Sequence, residues 1–148
     1  MIKKAKKADS TILAELALQM WQDHSLSGLR EEFEALTEEE DSACFIQYAD
    51  ESPVGFAQCQ LRRDYVEGTD TSPVGYLEGI FVLPQYRNRG VAAELLSCCE
   101  AWAKGKNCTE FASDCELTNA DSLRFHQALG FTEANRIICF TKQLQGTT

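Results

Sequence analysis

The stretch that decides the fold is Leu77-Glu78-Gly79-Ile80-Phe81-Val82-Leu83-Pro84-Gln85-Tyr86-Arg87-Asn88-Arg89-Gly90-Val91-Ala92. An apolar strand runs into a basic turn, and the turn opens a helix. Gly90 and the small Ala92 let backbone N–H groups approach an anion closely, and the helix N-terminus adds a partial positive charge. Arg87 and Arg89 supply full charges. The stretch therefore predicts a cradle for a diphosphate group.

Without its context, the same pattern also fits a plain N-cap loop. An Arg/Gly turn before a helix is more often such a loop than an anion-binding site. The nucleotide-binding loops with known spacing are excluded. Neither Gly-x-x-x-x-Gly-Lys-Ser/Thr nor Gly-x-Gly-x-x-Gly follows the strand. The choice between cap and cradle therefore depends on the rest of the chain.

Length and composition predict a single domain. The chain has 148 residues, of which 44% are apolar, enough for one substantial core. We expect the domain to span residues 1–145 and residues 146–148 to form a disordered tail. The N-terminus is basic but lacks the apolar run of a secretory signal, and no run is long enough to cross a bilayer. A cytoplasmic protein is expected.

The formal net charge is −9, from 23 acidic and 14 basic residues. This balance disfavours nucleic-acid and anionic-membrane partners and favours a cationic substrate, although an acidic surface is also a common route to solubility. The seven cysteines include no Cys-x-x-Cys pair, so we expect reduced thiols and neither a disulfide framework nor a metal site. Cys115 is interpreted as a bystander.

Periodicity and turn signals predict a mixed α/β fold, with a central, mostly antiparallel sheet flanked by helices. The order is β-α-α-β-β-β-α-β-α-β, and Asp50-Glu51-Ser52-Pro53 indicates a hairpin. The predicted elements are strand 2–5, a helix capped by Asp9 or Ser10, a helix at 29–36, strands 43–49, 54–62 and 74–82, a helix at 90–104, strand 110–114, a helix from 118 or 119 to 129, and strand 136–143.

The spacing Arg87-x-x-Gly90-x-Ala92 resembles the acetyl-CoA signature of the GNAT superfamily of N-acetyltransferases, and the order of elements resembles the GNAT fold over nearly the whole chain. Within that superfamily, several local segments are similar to the aminoglycoside 6'-N-acetyltransferases. They are Trp21-x-x-His24, Asp64-Tyr65-Val66-x-Gly68-x-Asp70-x-Ser72-Pro73, Leu77 to Pro84, Ala112-Ser113-Asp114 and His126-Gln127-Ala128-Leu129-Gly130-Phe131.

The resemblance implies acetyl-CoA as co-substrate, with no metal. The pantetheine arm would lie along the backbone of the strand at Ile80, Phe81 and Val82. The pyrophosphate would bind in the basic turn, which comprises Arg87, Asn88, Arg89, Gly90, Val91 and Ala92. Asn119, a helix-capping residue, would touch the cofactor near its thiol.

The acceptor side should be acidic and aromatic, because an aminoglycoside is a polyammonium sugar with apolar ring faces. Glu78 is favoured on physical grounds as well, since a carboxylate in an apolar strand is costly unless it is paired or functional. A structural salt bridge is the alternative. The resemblance places Trp21, His24, Tyr65, Glu78, Asp114 and, marginally, Asn135 at this site.

The implied reaction is direct transfer in a ternary complex, with Asp114 or Glu78 as the base and a backbone N–H near Gly79 or Ile80 stabilising the oxyanion. His126 stands where many GNAT enzymes have a tyrosine that protonates the leaving thiolate; water is the alternative donor. Other readings remain open: acetylation of a polyamine or a protein N-terminus, or a non-catalytic acetyl-CoA-binding module. The family also implies a homodimer, paired through the C-terminal strand.

Overall fold

The computed structural model describes residues 1–146, which form five strands and four α-helices. A short 3₁₀ turn precedes the first helix and another follows the fourth strand. The elements are β1 (Ile2–Lys4), α1 (Ser10–Met20), α2 (Leu26–Glu38), β2 (Ser42–Ala49), β3 (Ser52–Arg62), β4 (Val74–Val82), α3 (Val91–Gly105), β5 (Phe111–Ala112) and α4 (Ala120–Ala128). No helix among these residues has both the length and the apolar content needed to cross a membrane.

The strands form one sheet in the order β1-β2-β3-β4-β5. The first three pairings are antiparallel and β4 pairs with β5 in parallel, so the expected mixed, mostly antiparallel sheet is confirmed. The hairpin between β2 and β3 turns at Asp50, whose positive φ of 56° is tolerated by an Asp residue in a tight turn.

The helices cover both faces of the sheet. Phe56 stacks edge-on against Phe33 of α2, while a side chain at the neighbouring Gly55 would meet Leu95 of α3. Adjacent strand residues point to opposite faces, so α2 and α3 lie on opposite sides. The core on the first side includes Leu13 and Phe33, both at most 1% exposed.

A β-bulge in β4 interrupts the alternation at a predicted site residue. Gln58 pairs with Gly79 and Cys59 pairs with Leu77, which leaves Glu78 without a partner on β3. Such an extra residue bends its strand and re-aims the side chain. As a result, both Tyr76 and Gly79 fall on the α1/α2 face, with Glu78 between them.

By chain contacts the protein divides into two compact units, Met1–Asp114 and Cys115–Thr148. The second unit contains α4, which the Asn119 side chain caps by accepting from Ser122 N at 3.0 Å and which ends before Gly130 at φ 92°. Whether both units form the single expected domain stays a prediction.

The prediction of a last strand at Arg136–Gln143 is wrong, because none of these residues is in a strand in the described structure. A strand exists only where its backbone pairs with another, and within residues 1–146 this segment has no such ladder. Its apolar residues Ile137, Ile138 and Phe140 are 66–87% exposed. Of the predicted tail, residues 147 and 148 lie outside the described residues.

Candidate active site

The turn before α3 has the backbone that the cradle prediction requires. Asn88 and Gly90 both have positive φ, 64° and 81°, and Gly90 is the N-cap of α3. A side chain at Gly90 would meet no atom within 4 Å, so the space in front of the cap is open. The first N–H groups of a helix have no intrahelical acceptor. They are therefore available to an anion in that space.

The two arginines of the turn are anchored differently. Arg87 donates from Nε to Val82 O at 2.9 Å, and its guanidinium carbon is 5.6 Å from the Phe81 ring centre. Arg89 lies over Tyr86 at 5.5 Å. Arg87 thus anchors the turn to the end of β4, and its guanidinium places a positive charge at the turn.

The far half of β4 has an edge that is not covered by β5. The ladder between the two strands holds only Gly75 and Tyr76 on β4. Leu83 N donates to Val54 O at 2.8 Å, which directs the backbone of Leu83 toward β3. Because these groups alternate along an antiparallel strand, the backbones of Ile80 and Val82 face the other way. The backbone of Ile80 and the N–H of Val82 form an open edge that leads to the turn, where Val82 O already accepts from Arg87.

The two predicted acids are joined in one polar network. Arg62 at the end of β3 donates from Nε to Glu78 Oε2 at 3.0 Å and from its terminal nitrogen to Oε1 at 2.8 Å. The same guanidinium lies over the Tyr76 ring, 3.5 Å from its centre. The Tyr76 hydroxyl donates to Asp114 Oδ2. Glu78 is therefore ion-paired at both oxygens, whereas Asp114 is held at one oxygen by a neutral donor.

The network keeps its donors protonated. Burial, and then the hydrogen bond to Asp114, raise the pKa of Tyr76 above its ordinary value of 10.0. Burial works to lower the pKa of Arg62, but the hydrogen bonds and charge of Glu78 outweigh it, so the pKa is raised. Tyr76 stays a neutral donor and Arg62 stays a cation across the working pH range.

Trp21 and His24 lie close together at the end of α1, with ring centres 6.1 Å apart. Trp21 packs edge-on against Phe56 and lies against the backbone of Gly79, beside Glu78. The Trp21 ring therefore packs on the core but is only partly buried. Tyr65, in the loop between β3 and β4, is 76% exposed.

The remaining predicted residues belong to the second unit. Asn119 caps α4 with its side chain, as expected for a helix-capping residue. His126 donates from Nδ1 to Ser122 O at 2.7 Å, with its ring 5.1 Å from that of Phe131. Asn135 Oδ1 accepts from Arg136 N at 2.8 Å. The roles of these three at the site stay predictions.

Sequence reasoning did not identify Arg62 or Tyr76. Tyr76 carries a usable signal, since it precedes Glu78 by two residues on one strand, where side chains share a face. Arg62 carries none, because its ion pair with Glu78 depends on the bulge and on strand register.

Comparison with known proteins gives the family. The Acetyltransferase (GNAT) family matches residues 11–131. An aminoglycoside N(6')-acetyltransferase type 1 of Acinetobacter haemolyticus is 41% identical over 143 residues, covering 97% of this chain and 98% of the relative. One of Salmonella typhimurium is 43% identical over 128 residues, covering 86% of this chain and 88% of the relative.

Two solved structures of AAC(6')-Iy extend the likeness to three dimensions. One holds the bisubstrate analogue CoA-S-monomethyl-acetylneamine and aligns with a TM-score of 0.93 at 40% identity, over 97% of this chain and 98% of that one. The other, in complex with CoA, has a TM-score of 0.94 at 40% identity, over 97% and 95%. The resemblance seen in the sequence is confirmed: the chain belongs to the GNAT acetyltransferase family, and within it to the aminoglycoside 6'-N-acetyltransferases.

Proposed function

We propose that this protein transfers the acetyl group of acetyl-CoA to the 6'-amino group of aminoglycosides and thereby confers resistance to them. The observation that carries the proposal is the placement of Glu78 and Asp114 in one network beside the uncovered edge of β4. The acidic pair suits a polyammonium acceptor, and the edge suits the co-substrate.

The acetyl-CoA side fits the residues present. The backbone of Ile80 and the N–H of Val82 are directed so that they can pair with the amide-bearing pantetheine arm, as another strand would. The open space before Gly90, the turn from Arg87 and the first turn of α3 through Ala92 fit its pyrophosphate. Acetyl-CoA supplies the activated acetyl thioester, and the turn and strand edge hold it in place.

The acceptor side carries one net negative charge from its innermost groups, since two carboxylates face one guanidinium. A substrate ammonium is attracted to this charge, and Trp21, His24 and Tyr65 offer ring faces to the sugar. Asn135 is kept as a marginal contact, and Asn119 as a contact to the co-substrate.

Proton removal from the substrate ammonium falls to Asp114 in this proposal, directly or through a water molecule. Both oxygens of Glu78 accept hydrogen bonds from Arg62, whereas Asp114 is held by Tyr76 at Oδ2 and Oδ1 is a different atom that can face the substrate. Glu78 then serves mainly to bind a cationic group of the acceptor. The variant Glu78→Gln tests whether it also acts as a base.

The transfer is direct. The amine nitrogen bonds to the thioester carbonyl carbon and loses its second proton to water. The carbon–sulfur bond breaks with its electron pair going to sulfur, and the leaving thiolate takes a proton from His126 or water. A backbone N–H near Gly79 or Ile80 stabilises the oxyanion. No acetyl-enzyme forms, so acetylated Cys115 or Cys59 on the reaction path, found by mass spectrometry, contradicts this version.

A homodimer and a cytoplasmic location are part of the proposal. The exposed apolar segment that includes Ile137, Ile138 and Phe140 supports pairing with a second copy, since it forms no strand within residues 1–146. Dependence on acetyl-CoA and the unpaired state of the seven cysteines support the cytoplasm. Sedimentation that shows a monomer at micromolar concentration refutes the dimer, and recovery of the protein in the periplasmic fraction refutes the location.

The test is release of CoA thiol from acetyl-CoA with paired aminoglycosides that differ only in a 6'-amine or a 6'-hydroxyl, with spermidine and an N-terminal peptide as further acceptors. Turnover restricted to 6'-amino compounds is expected. Turnover with spermidine or the peptide alone moves the function to another amine, and binding of acetyl-CoA without any turnover indicates a non-catalytic module. Glu78→Gln and Asp114→Asn then separate binding from proton transfer.

A further inference from the structure

Arg62 occupies a position that links the two acids of the acceptor site, although none of the expected roles involves it. Its guanidinium forms both hydrogen bonds to Glu78 and covers the Tyr76 ring, and Tyr76 in turn holds Asp114. Its side chain is 39% exposed and that of Glu78 is 19% exposed, so the pair is partly open to solvent rather than buried in the core.

We propose that Arg62 is a positioning residue for aminoglycoside acetylation, which sets both the direction of Glu78 and the placement of Asp114. This inference rests on the proposed function. Arg62 fixes the Glu78 carboxylate in a two-point fork, and by stacking on Tyr76 it fixes the ring whose hydroxyl orients Asp114.

The fork is the part of this arrangement that only arginine can supply. Two parallel N–H···O bonds match the two oxygens of a carboxylate, while a lysine ammonium offers a single point charge. The planar guanidinium also stacks flat on an aromatic ring, which an ammonium cannot reproduce. Because Glu78 is the unpaired residue of a bulge, strand pairing does not hold its side chain in place, and Arg62 provides that restraint.

Arg62 also sets the charge of the site. The ionisable groups that act on it are Glu78, Tyr76 and Asp114. With Arg62 in place, the two carboxylates and the guanidinium sum to one negative charge. Without it, the carboxylates of Glu78 and Asp114 repel each other, and substrate cations would bind to Glu78 in orientations that leave the 6'-amine away from Asp114.

The experiment compares Arg62→Met, Arg62→Lys, Glu78→Gln and the double variant Arg62→Met/Glu78→Gln, by steady-state kinetics with a 6'-amino aminoglycoside. Arg30→Met is the matched control, because Arg30 forms a similar ion pair with Glu34, at 3.2 Å on the exposed side of α2. Thermal melting of every variant shows which remain folded, and Arg62→Lys serves if Arg62→Met does not fold.

For Arg62→Met we expect kcat/KM for the aminoglycoside to fall by about 5- to 30-fold, while KM for acetyl-CoA changes by less than about twofold. Arg62→Lys restores no more than part of the loss. In the double variant, the loss is smaller than the product of the single losses by at least about threefold, since both substitutions break one unit. The control behaves as the unsubstituted protein.

Three results would overturn the inference: Arg62→Lys with unchanged kinetics, losses that multiply in the double variant, or equal changes in both KM values. A failure of the proposed function is separate, because the unsubstituted protein would then show no turnover of 6'-amino compounds. If the unsubstituted protein acetylates 6'-amino compounds and the Arg62 variants do so with the same kinetics, only the proposed role of Arg62 is refuted.

Discussion

Gly79→Ala tests whether the packing of Trp21 against β4 matters for the acceptor site. A Cβ at this position would lie 3.0 Å from Trp21 Cη2, 3.1 Å from Cζ2 and 3.5 Å from the terminal methyl group of Met20. Carbon atoms in ordinary contact are about 3.5–4.0 Å apart, so the Trp21 ring must move by roughly half an ångström. Overpacking of this kind costs about 1–3 kcal/mol of folding free energy.

The displaced ring should also bind the acceptor less well. A loss of about 1–2 kcal/mol corresponds to a KM for the aminoglycoside that is about 5- to 30-fold higher, with KM for acetyl-CoA unchanged. Gly105→Ala is the control, since a side chain there meets no atom within 4 Å and Gly105 is the last residue of α3. It should leave kinetics unchanged and stability equal or higher by up to about 1 kcal/mol.

The assay pairs urea denaturation with steady-state kinetics on both variants. If Gly79→Ala matches the unsubstituted protein in stability and in acceptor KM, the close contact between Trp21 and β4 is not part of the working site. Equal changes in the two glycine variants would contradict the argument as well.

Three further results follow from the same structure. Tyr76→Phe should leave phenolate absorbance at about pH 11 unchanged, because the raised pKa of Tyr76 keeps it protonated there, and a drop equal to one tyrosine of the four refutes the raised pKa. The contribution of protonated Tyr76 to folding stability is complete below about pH 10 and is lost at higher pH. A thiol reagent should modify the exposed Cys115 and Cys139 first, and Cys44, whose pKa burial raises to about 12, only on unfolding; fast reaction at Cys44 contradicts its burial. Phe33→Ala, at a site 1% exposed, should lower the free energy of unfolding by about 3–5 kcal/mol, and a loss under about 1 kcal/mol contradicts the packing around α2.

The elements that depend on local patterns were predictable from the sequence. The turn around Gly90, the hairpin at Asp50 and the helix ending before Gly130 each carry residues suited to positive φ, and the structure has positive φ at all three. Burial of apolar stripes then fixed the helices on the sheet. For Glu78, the cost of a carboxylate in an apolar strand predicted that it would be paired or functional, and the ion pair that was the alternative is present, with Arg62 as the partner.

Features that depend on pairing between distant segments were not predictable. The bulge at Glu78 arises from register between β3 and β4, and single-sequence alternation does not reveal it. The segment at 136–143 contains a strand-like apolar run from Ile137 to Phe140, yet whether it becomes a strand depends on a pairing partner that its own residues do not specify.

The most direct test of the account is to locate the acetyl group in the product of a preparative reaction with acetyl-CoA and a 6'-amino aminoglycoside. Long-range proton–carbon NMR should connect the acetyl carbonyl to the protons on carbon 6', with a single acetyl group by mass. An acetyl group on any other amine, or no acetylated product under conditions where acetyl-CoA binds, would contradict the assignment of this chain's acceptor site.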